Sequence, residues 1–560
     1  MKNKKNNFNL KLVIIIFINF LIFAICNTIF DIKYEQVDDF IIYNLYSGLD
    51  GTYNIHGVYI HPVLCFIISL FYRIIPIINW HSIYLLSMQF LCFTLIGFKI
   101  IKKHDNEISI VLYTVFASIA YTSMLMLIQY TSVAALLILT SFVLLIDTIE
   151  KNNYKNIKNI IVIFTLFILG VMTRIQSLLI VAPFILMYLI IIFFKFVVTK
   201  TIDTKTIIKI VKYYLVYLII TVLISLSNSL IYNSNQTYKE YIQYNNMRTV
   251  LHDRIHLNYE EDKKIFDKIG WSENDYYIFN TFGFGDENIY SKENIEILYN
   301  YAIDKYGAYQ RNNNTISDFI DDIKDSKIFI FTIIILFISL FNGKYENTIF
   351  FAITVLMHLL YIFIGRNMPR VVIPEYISGI SLMMYNLKLK KSNISAEIKD
   401  YIIICLIMII TCSFTGIAYS FNYRLNDYKN YQNVVEYTNS NKHNAYLYTV
   451  PSLQYRYLAY SAYQMPPKAS FSNLRVIGGW DMYTQNYYDF KNRYNLEGTL
   501  LDLLKENVYL IDGNVVWSGN RYDNYKENIR IAIKNHYNLD VNFIEIEEFD
   551  NIKIYKLQKQ

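Results

Sequence analysis

About eleven stretches of this chain are almost continuously apolar, and most approach the roughly 20 residues that a helix needs to cross a bilayer. They are 11–30, 82–101, 108–127, 131–149, 160–173, 177–197, 212–232, 327–342, 348–364, 370–387 and 401–421. Backbone groups in lipid must find partners within their own segment, so these stretches are expected as helices. The expected class is a polytopic α-helical membrane protein. Hydrophobic residues make up 54% of the 560, above the usual share in soluble proteins. Lys2, Lys4, Lys5 and Lys11 precede the first run as they would in a signal peptide. The run is long for a signal core, and Cys26-Asn27-Thr28 is a poor cleavage site, so a retained first span is expected. Cys26, Cys65, Cys92, Cys405 and Cys412 all fall in apolar segments and are read as small hydrophobes, with no disulfide framework for the polar regions.

Segment 62–79 decides the sidedness. It is apolar but broken by Arg73 and Pro76, and if it crossed it would invert everything after it. Laid along the outer surface, it leaves one set of short loops with nearly all the lysines. These are Lys99, Lys102 and Lys103, then Lys151, Lys155 and Lys158, then Lys195, Lys200, Lys205, Lys209 and Lys212. Lys344, Lys388, Lys390, Lys391 and Lys399 follow, and the amino-terminal lysines join the same side. The other set keeps Lys33, Arg73, Arg174, Arg366 and Arg370. Cytoplasmic loops carry the Lys/Arg excess. The amino terminus is therefore expected inside, with 31–81, 233–326 and 422–560 outside.

Both long polar regions fall on the outer side. In 233–326, helix-like patterns at 258–269 and 291–306 flank a turn at Phe282-Gly283-Phe284-Gly285-Asp286. In 422–560, strands are predicted at 445–450, 508–511 and 541–546, and helices at 428–439 and 525–536. The chain thus divides into a transmembrane part, 1–421, and a small extracytoplasmic α/β domain, 422–560.

Asp38 and Asp39 lie a few residues beyond the first span, and carboxylates beside a membrane segment are costly unless they have a use. Downstream come His61-Pro62-Val63-Leu64 and the run Phe66-Ile67-Ile68-Ser69-Leu70-Phe71-Tyr72-Arg73. Further on are Gly170-Val171-Met172-Thr173-Arg174 with Pro183, and Arg370-Val371-Val372-Ile373-Pro374. In this order the set resembles the GT-C fold glycosyltransferases, which include protein O-mannosyltransferases and the aminoarabinose transferases of lipid A. Those carry Asp-Glu after the first span, His-Pro-Pro-Leu or Lys-Pro-Pro-Leu opening a juxtamembrane helix, a Leu-Thr-Arg/Lys segment, and Arg-Tyr-Leu-x-Pro in a late span. The resemblance covers about residues 1–421.

The resemblance implies a GT-C-like enzyme that moves a sugar from a polyprenyl-phosphate donor to a cell-surface glycan or lipid-linked acceptor on the outer face. Asp38 matches the first family acid and takes the role of general base. Asp39 helps it or hydrogen-bonds nearby backbone. His61, Arg174, Arg366, Arg370 and Glu375 are assigned to the donor site, the arginines as phosphate ligands. Relatives carry a second acid before the fourth span, where this chain reads Gln129-Tyr130-Thr131-Ser132. Glu375 is a candidate substitute, although pairing with Arg370 or Arg366 is the simpler reading.

The remaining features are read more plainly. His252 and His256 have an i, i+4 spacing that suits a metal on a helix, but a solvated helix face is the expectation. His358, within a span, is expected to hydrogen-bond between helices. Trp480-Asp481 is expected to pack in a core rather than stack on sugars. No cofactor is expected, while a divalent metal stays open. The partners expected are donor, acceptor and membrane lipid, with no nucleic acid. The location expected is a cell membrane, multi-pass, in a bacterium; the Asn-, Ile-, Lys- and Tyr-rich composition is of AT-rich type and is given no functional weight. The alternatives are a transporter or flippase of lipid-linked glycans and a catalytically inactive scaffold on the same fold. For sidedness, single cysteines at Ser47, Ser291 and Ser518 of a cysteine-free variant are expected to react with an impermeant thiol reagent on intact cells. Labelling at Ser47 with protection of the other two would reverse the parity.

Overall fold

The computed structural model describes all residues except 1, 31, 36, 154–155, 311–313, 388, 390–397, 421–427, 450–458, 514–515, 518–519, 522–524 and 550–551. Lys155, Lys388, Lys390, Lys391 and Ser518 therefore lie outside the described residues. The protein is mostly helical, and each apolar stretch coincides with a helix. Six helices are long and apolar enough to cross a membrane: Leu10–Ile29, Trp80–His104, Glu107–Met126, Tyr130–Glu150, Ile175–Val197 and Thr204–Asn233. Shorter apolar helices include Ile157–Thr173, Lys327–Phe341 and Asn347–Phe363. Pro62–Ile74 has only 13 residues, about 20 Å at 1.5 Å per residue, too short for a bilayer core of about 30 Å. It turns Val63, Phe66, Ile67, Leu70, Phe71 and Ile74 outward and buries Leu64, Cys65, Ile68 and Tyr72.

Tyr130–Glu150 is the central post, enclosed on every side. Its small residues admit close neighbours. A Cβ on Gly170, in helix Ile157–Thr173, would stand 2.8 Å from Ile138 Cγ1 and 3.0 Å from the Ala134 carbonyl oxygen. The glycine of the Gly170–Arg174 motif thus sits where two backbones approach. The polar groups on the post are paired locally: Thr140 and Thr148 donate to carbonyls one turn back, and Ser141 bonds the Ile163 carbonyl and Tyr217. At its carboxyl end Asp147 holds Lys99 at 2.6 Å, and Glu150 holds Lys103 at 2.8 Å. His358, as expected, bonds across helices, with Nδ1 2.9 Å from the Tyr376 hydroxyl.

The second polar region carries a five-stranded sheet in the order Leu474–Val476, Ala445–Tyr448, Val508–Gly513, Ile552–Lys559, Val541–Phe549, while the first is helical. The first two pairings are parallel and the last two antiparallel. Helices Tyr428–Ser440 and Tyr525–Tyr537 match the predicted ones, whereas strands Leu474–Val476 and Ile552–Lys559 were not predicted. The apolar packing does not follow the division of the chain. Tyr232 to Ala302 share one core with Ala445, Phe490, Leu510, Ile529 and Leu557, and Tyr446, Leu474 and Trp480 pack into the core of the helical part.

Two expectations need correction. His252 is not on a solvated face: its Nε2 lies 2.7 Å from the Phe279 carbonyl oxygen and its ring packs among Phe279, Phe282 and Phe284. The helix carrying it ends at Asp253, so His256 is not its helical partner. Ser47 is buried and cannot report sidedness. Glu261 and Glu497 are exposed and replace it and Ser518. Cysteines at both are expected to label on intact cells while cysteines at Lys151 and Lys200 stay protected, and the reverse pattern would invert the topology.

Candidate functional site

The chain leaving the first helix is pinned by a short parallel ladder, Lys33 to Leu127 and Tyr34 to Ile128, extended by Glu35 N–H to the Ile128 carbonyl at 3.0 Å. This ladder places Glu35 and the following helix, Val37–Ser47, beside the start of the central post. Asp38 and Asp39 occupy the first turn of that helix, where the positive end of the helix dipole favours carboxylates. Being adjacent, they point about 100° apart. Asp39 turns inward and is 0% exposed, while Asp38 is partly exposed.

Asp39 Oδ1 lies 3.1 Å from His81 Nε2 and accepts the Tyr130 backbone N–H at 3.1 Å, while buried Oδ2 has no partner among the described residues. His81 Nδ1 bonds the Tyr46 hydroxyl. Burial, and then the Asp38 carboxylate, push Asp39 well above the usual carboxylate range, against the Tyr130 N–H, Arg370 and Arg174. Asp38 Oδ1 instead accepts the indole N–H of Trp480 at 3.1 Å. Sequence reasoning assigned Trp480 to core packing. It is buried, but its polar edge serves the acid. Its ring meets Tyr59 edge-on at 5.2 Å.

Tyr59 follows Val58, whose φ of 59° is the left-handed region, a costly place for a β-branched residue. The Val58 N–H donates to the Tyr232 hydroxyl at 2.8 Å and holds that turn. Arg174 lies over the Tyr59 ring at 5.3 Å and the Tyr130 ring at 5.0 Å, and donates to the Tyr130 hydroxyl. Its buried Nε has no partner, and among the described residues no carboxylate comes within ion-pair distance of it. The contacts therefore close a ring: Asp38, Trp480, Tyr59, Arg174, Tyr130 and back to Asp39.

Arg370 enters from the opposite side. Its Nη1 is 3.3 Å from Glu35 Oε2, and Asp38 and Tyr130 also feel its charge. Its carbonyl accepts the Ser132 hydroxyl at 3.1 Å. Burial pushes the Glu35 carboxyl up to about 7; Arg370 pulls it down, and Asp39 and Asp38 push it up. Glu35 was missed in the sequence, although an acid three residues before Asp38 shares a local charge cluster with it.

Two of the assigned residues have surroundings that the sequence did not show. Glu375 pairs with neither Arg370 nor Arg366: both its oxygens are buried without a partner, and Arg366 faces Asp253 at 3.4 Å instead. The acid nearest the site beyond the Asp pair is Glu35, not Glu375. His61 is a clasp. Its Nδ1 caps helix Pro62–Ile74 by accepting the Val63 N–H at 3.2 Å, and Nε2 reaches Ser227 Oγ at 3.0 Å. Its N–H donates to the Met172 carbonyl at 2.8 Å. Both ring nitrogens are thus occupied, with the Nε2–H tautomer implied by the cap.

Among the described residues no group of three or more His, Cys, Asp or Glu is arranged to hold a metal ion. No family model matches the chain, and no curated protein matches it.

The Glu35 environment makes a pH prediction. Its folded-state value of about 7 lies above the ordinary 4.5. The folded protein holds that proton more tightly, so the contribution to stability is full below pH 4.5 and is lost as pH rises toward 7. Glu35→Gln cannot ionise and is expected to reduce the fall in melting temperature of the detergent-solubilised protein across that window. A fall as steep as in the wild type would contradict the burial assigned to Glu35.

Proposed function

We propose that the protein is a GT-C-like glycosyltransferase of the cell membrane that takes a sugar from a polyprenyl phosphate and delivers it to a glycan or lipid-linked acceptor on the outer face. The observation that carries this reading is Arg174. A partly buried guanidinium between phenol rings, with an unpartnered Nε and, among the described residues, no carboxylate within ion-pair distance, is an expensive arrangement unless an anion completes it. It shares one contact ring with Asp38, the most exposed of three clustered carboxylates.

In this reading the acceptor hydroxyl gives its proton to Asp38 as its oxygen forms the new bond to the anomeric carbon. The bond from that carbon to the phosphate oxygen breaks, and the phosphate leaves with the electron pair. Arg174 and Arg370 bind its oxygens and stabilise the charge that builds there. Asp39, buried and held above the usual carboxylate range, fixes the first turn of the helix through His81 and Tyr130. Trp480 orients Asp38. The reading includes about eleven spans, with the amino terminus cytoplasmic and 31–81, 233–326 and 422–560 outside, and a bacterial source. It calls for no cofactor.

A second reading, transport of lipid-linked glycans, draws on Glu375. An acid with both oxygens unpartnered inside a helix bundle is a feature that ion-coupled carriers use.

Two sets of variants test the transferase. Asp38→Asn keeps the shape but cannot take the proton, and transfer of labelled sugar by purified protein is expected to fall by about 10²–10⁴-fold. Near-normal turnover would overturn the mechanism. Arg174→Ala and Arg370→Ala are each expected to weaken donor use by about tenfold or more, as for loss of a hydrogen bond to a charged group. Lys200→Ala, exposed and far along the chain from the ring, serves as the control. Unchanged donor use in both arginine variants would place the phosphate elsewhere.

A further inference from the structure

A cavity of about 390 Å³ is lined by residues near two members of the contact ring in the chain, a size typical of small-ligand sites. One wall is the loop Thr52–His56 and the other is the first turn of helix Gln485–Tyr494. The same two strips of chain carry Tyr59 and Trp480. His56 is three residues from Tyr59 and Gln485 five from Trp480, so these walls stand within about 11 Å and 18 Å of the ring by chain length alone.

The lining has three kinds of group. Flat rings come first: His56 stacks on Tyr238 at 3.9 Å, and Tyr53 lies beneath Arg73 at 5.0 Å. Next are hydrogen-bonding groups that saturate one another only in part. Gln485 Nε2 donates to Asp489 Oδ1 at 2.8 Å, which leaves Asp489 Oδ2 and the Gln485 carbonyl for a ligand. His56 Nδ1 donates to Asn54 Oδ1 at 2.9 Å, which leaves Nε2 as an acceptor, and burial holds this ring down at about 4, so it stays neutral. Rings with paired amide and carboxylate groups are how proteins hold sugars, through ring faces and vicinal hydroxyls.

The third kind sets the chemical class. Phe66 and Arg73, also in the lining and both exposed, belong to helix Pro62–Ile74. Phe66 is on the outward apolar face of that helix, which also carries Val63, Leu70 and Ile74. Arg73 is exposed, and among the described residues it has no carboxylate partner. The cavity therefore opens where an apolar strip and a cation meet, which suits a chain in lipid joined to a sugar through a phosphate.

We propose that this cavity binds the saccharide end of a phosphate-bearing, membrane-anchored lipid, the acceptor of the transfer proposed above. Its role as acceptor rests on that reading, whereas the binding does not. Asp489 and Gln485 hold sugar hydroxyls, the His56–Tyr238 stack faces a sugar ring, Arg73 meets the phosphate, and the lipid leaves over Phe66.

The test is photo-labelling of the full-length protein in lipid nanodiscs, using a disaccharide that carries a diazirine and is linked through a diphosphate to a short polyprenyl chain. Labelled peptides are expected to contain residues 52–73 and 485–489. Asp489→Ala and Arg73→Ala, both substitutions at accessible positions, are each expected to reduce labelling at least about fivefold. Free disaccharide and sugar-free polyprenyl diphosphate, at the probe's concentration, are expected not to compete. Labelling confined to other peptides, labelling unchanged in both variants, or equal competition by either half of the probe would overturn the proposal. Labelling is measured in Asp38→Asn as well. Normal labelling there with no transfer by the wild type would refute the enzyme reading and leave the binding site standing.

Discussion

The arrangement depends on a closed ring of contacts around a pair of adjacent carboxylates. Asp39 is tied inward to His81 and to the backbone of Tyr130; Asp38 is tied outward to Trp480. Tyr59 and Arg174 complete the circuit. Its members come from the first loop, the starts of two long helices, the end of a third and a distant polar region. Burying carboxylates so close together is unfavourable unless hydrogen bonds and cations offset it. The result is a division of labour: two acids pushed up by burial, and one partly exposed acid that accepts an indole N–H and feels the charge of Arg370.

Much of the helical layout was legible in the sequence, because apolar length is a strong signal in a chain of this kind. The shortness of helix Pro62–Ile74 was legible as well: Arg73 and Pro76 break the apolar run near its end. Parts of the sheet were also legible, where Val508–Gly513 reads as apolar and β-prone. Leu474–Val476 was not: it has three residues, and its strand character comes from the parallel neighbour it pairs with.

The site was half legible. Asp38 and Asp39 stand out by their place beside the first apolar run. Trp480 does not, since it lies 442 residues along the chain from Asp38, and nothing local marks an indole N–H as a carboxylate ligand. Glu375 and His61 misled for a related reason. Sequence spacing put Glu375 near Arg370 along one helix, but Glu35 from another part of the chain takes that guanidinium. His61 sits at a helix start, and its ring is used up in the cap and in Ser227. In each case the deciding contact is long-range, and local pattern carries no record of it.

The central claim is that Trp480 acts through Asp38 on one transfer step, which a double-mutant cycle tests most directly. Trp480→Phe keeps a ring against Tyr59 but removes the N–H. Sugar transfer from a labelled polyprenyl-phosphate donor is measured in the wild type, in each single variant and in the pair. The account predicts that Trp480→Phe costs about tenfold in the wild-type background, the worth of one hydrogen bond to a charged group, and almost nothing further once Asp38 is Asn. An equal loss in both backgrounds, or no transfer by the wild type, would contradict it.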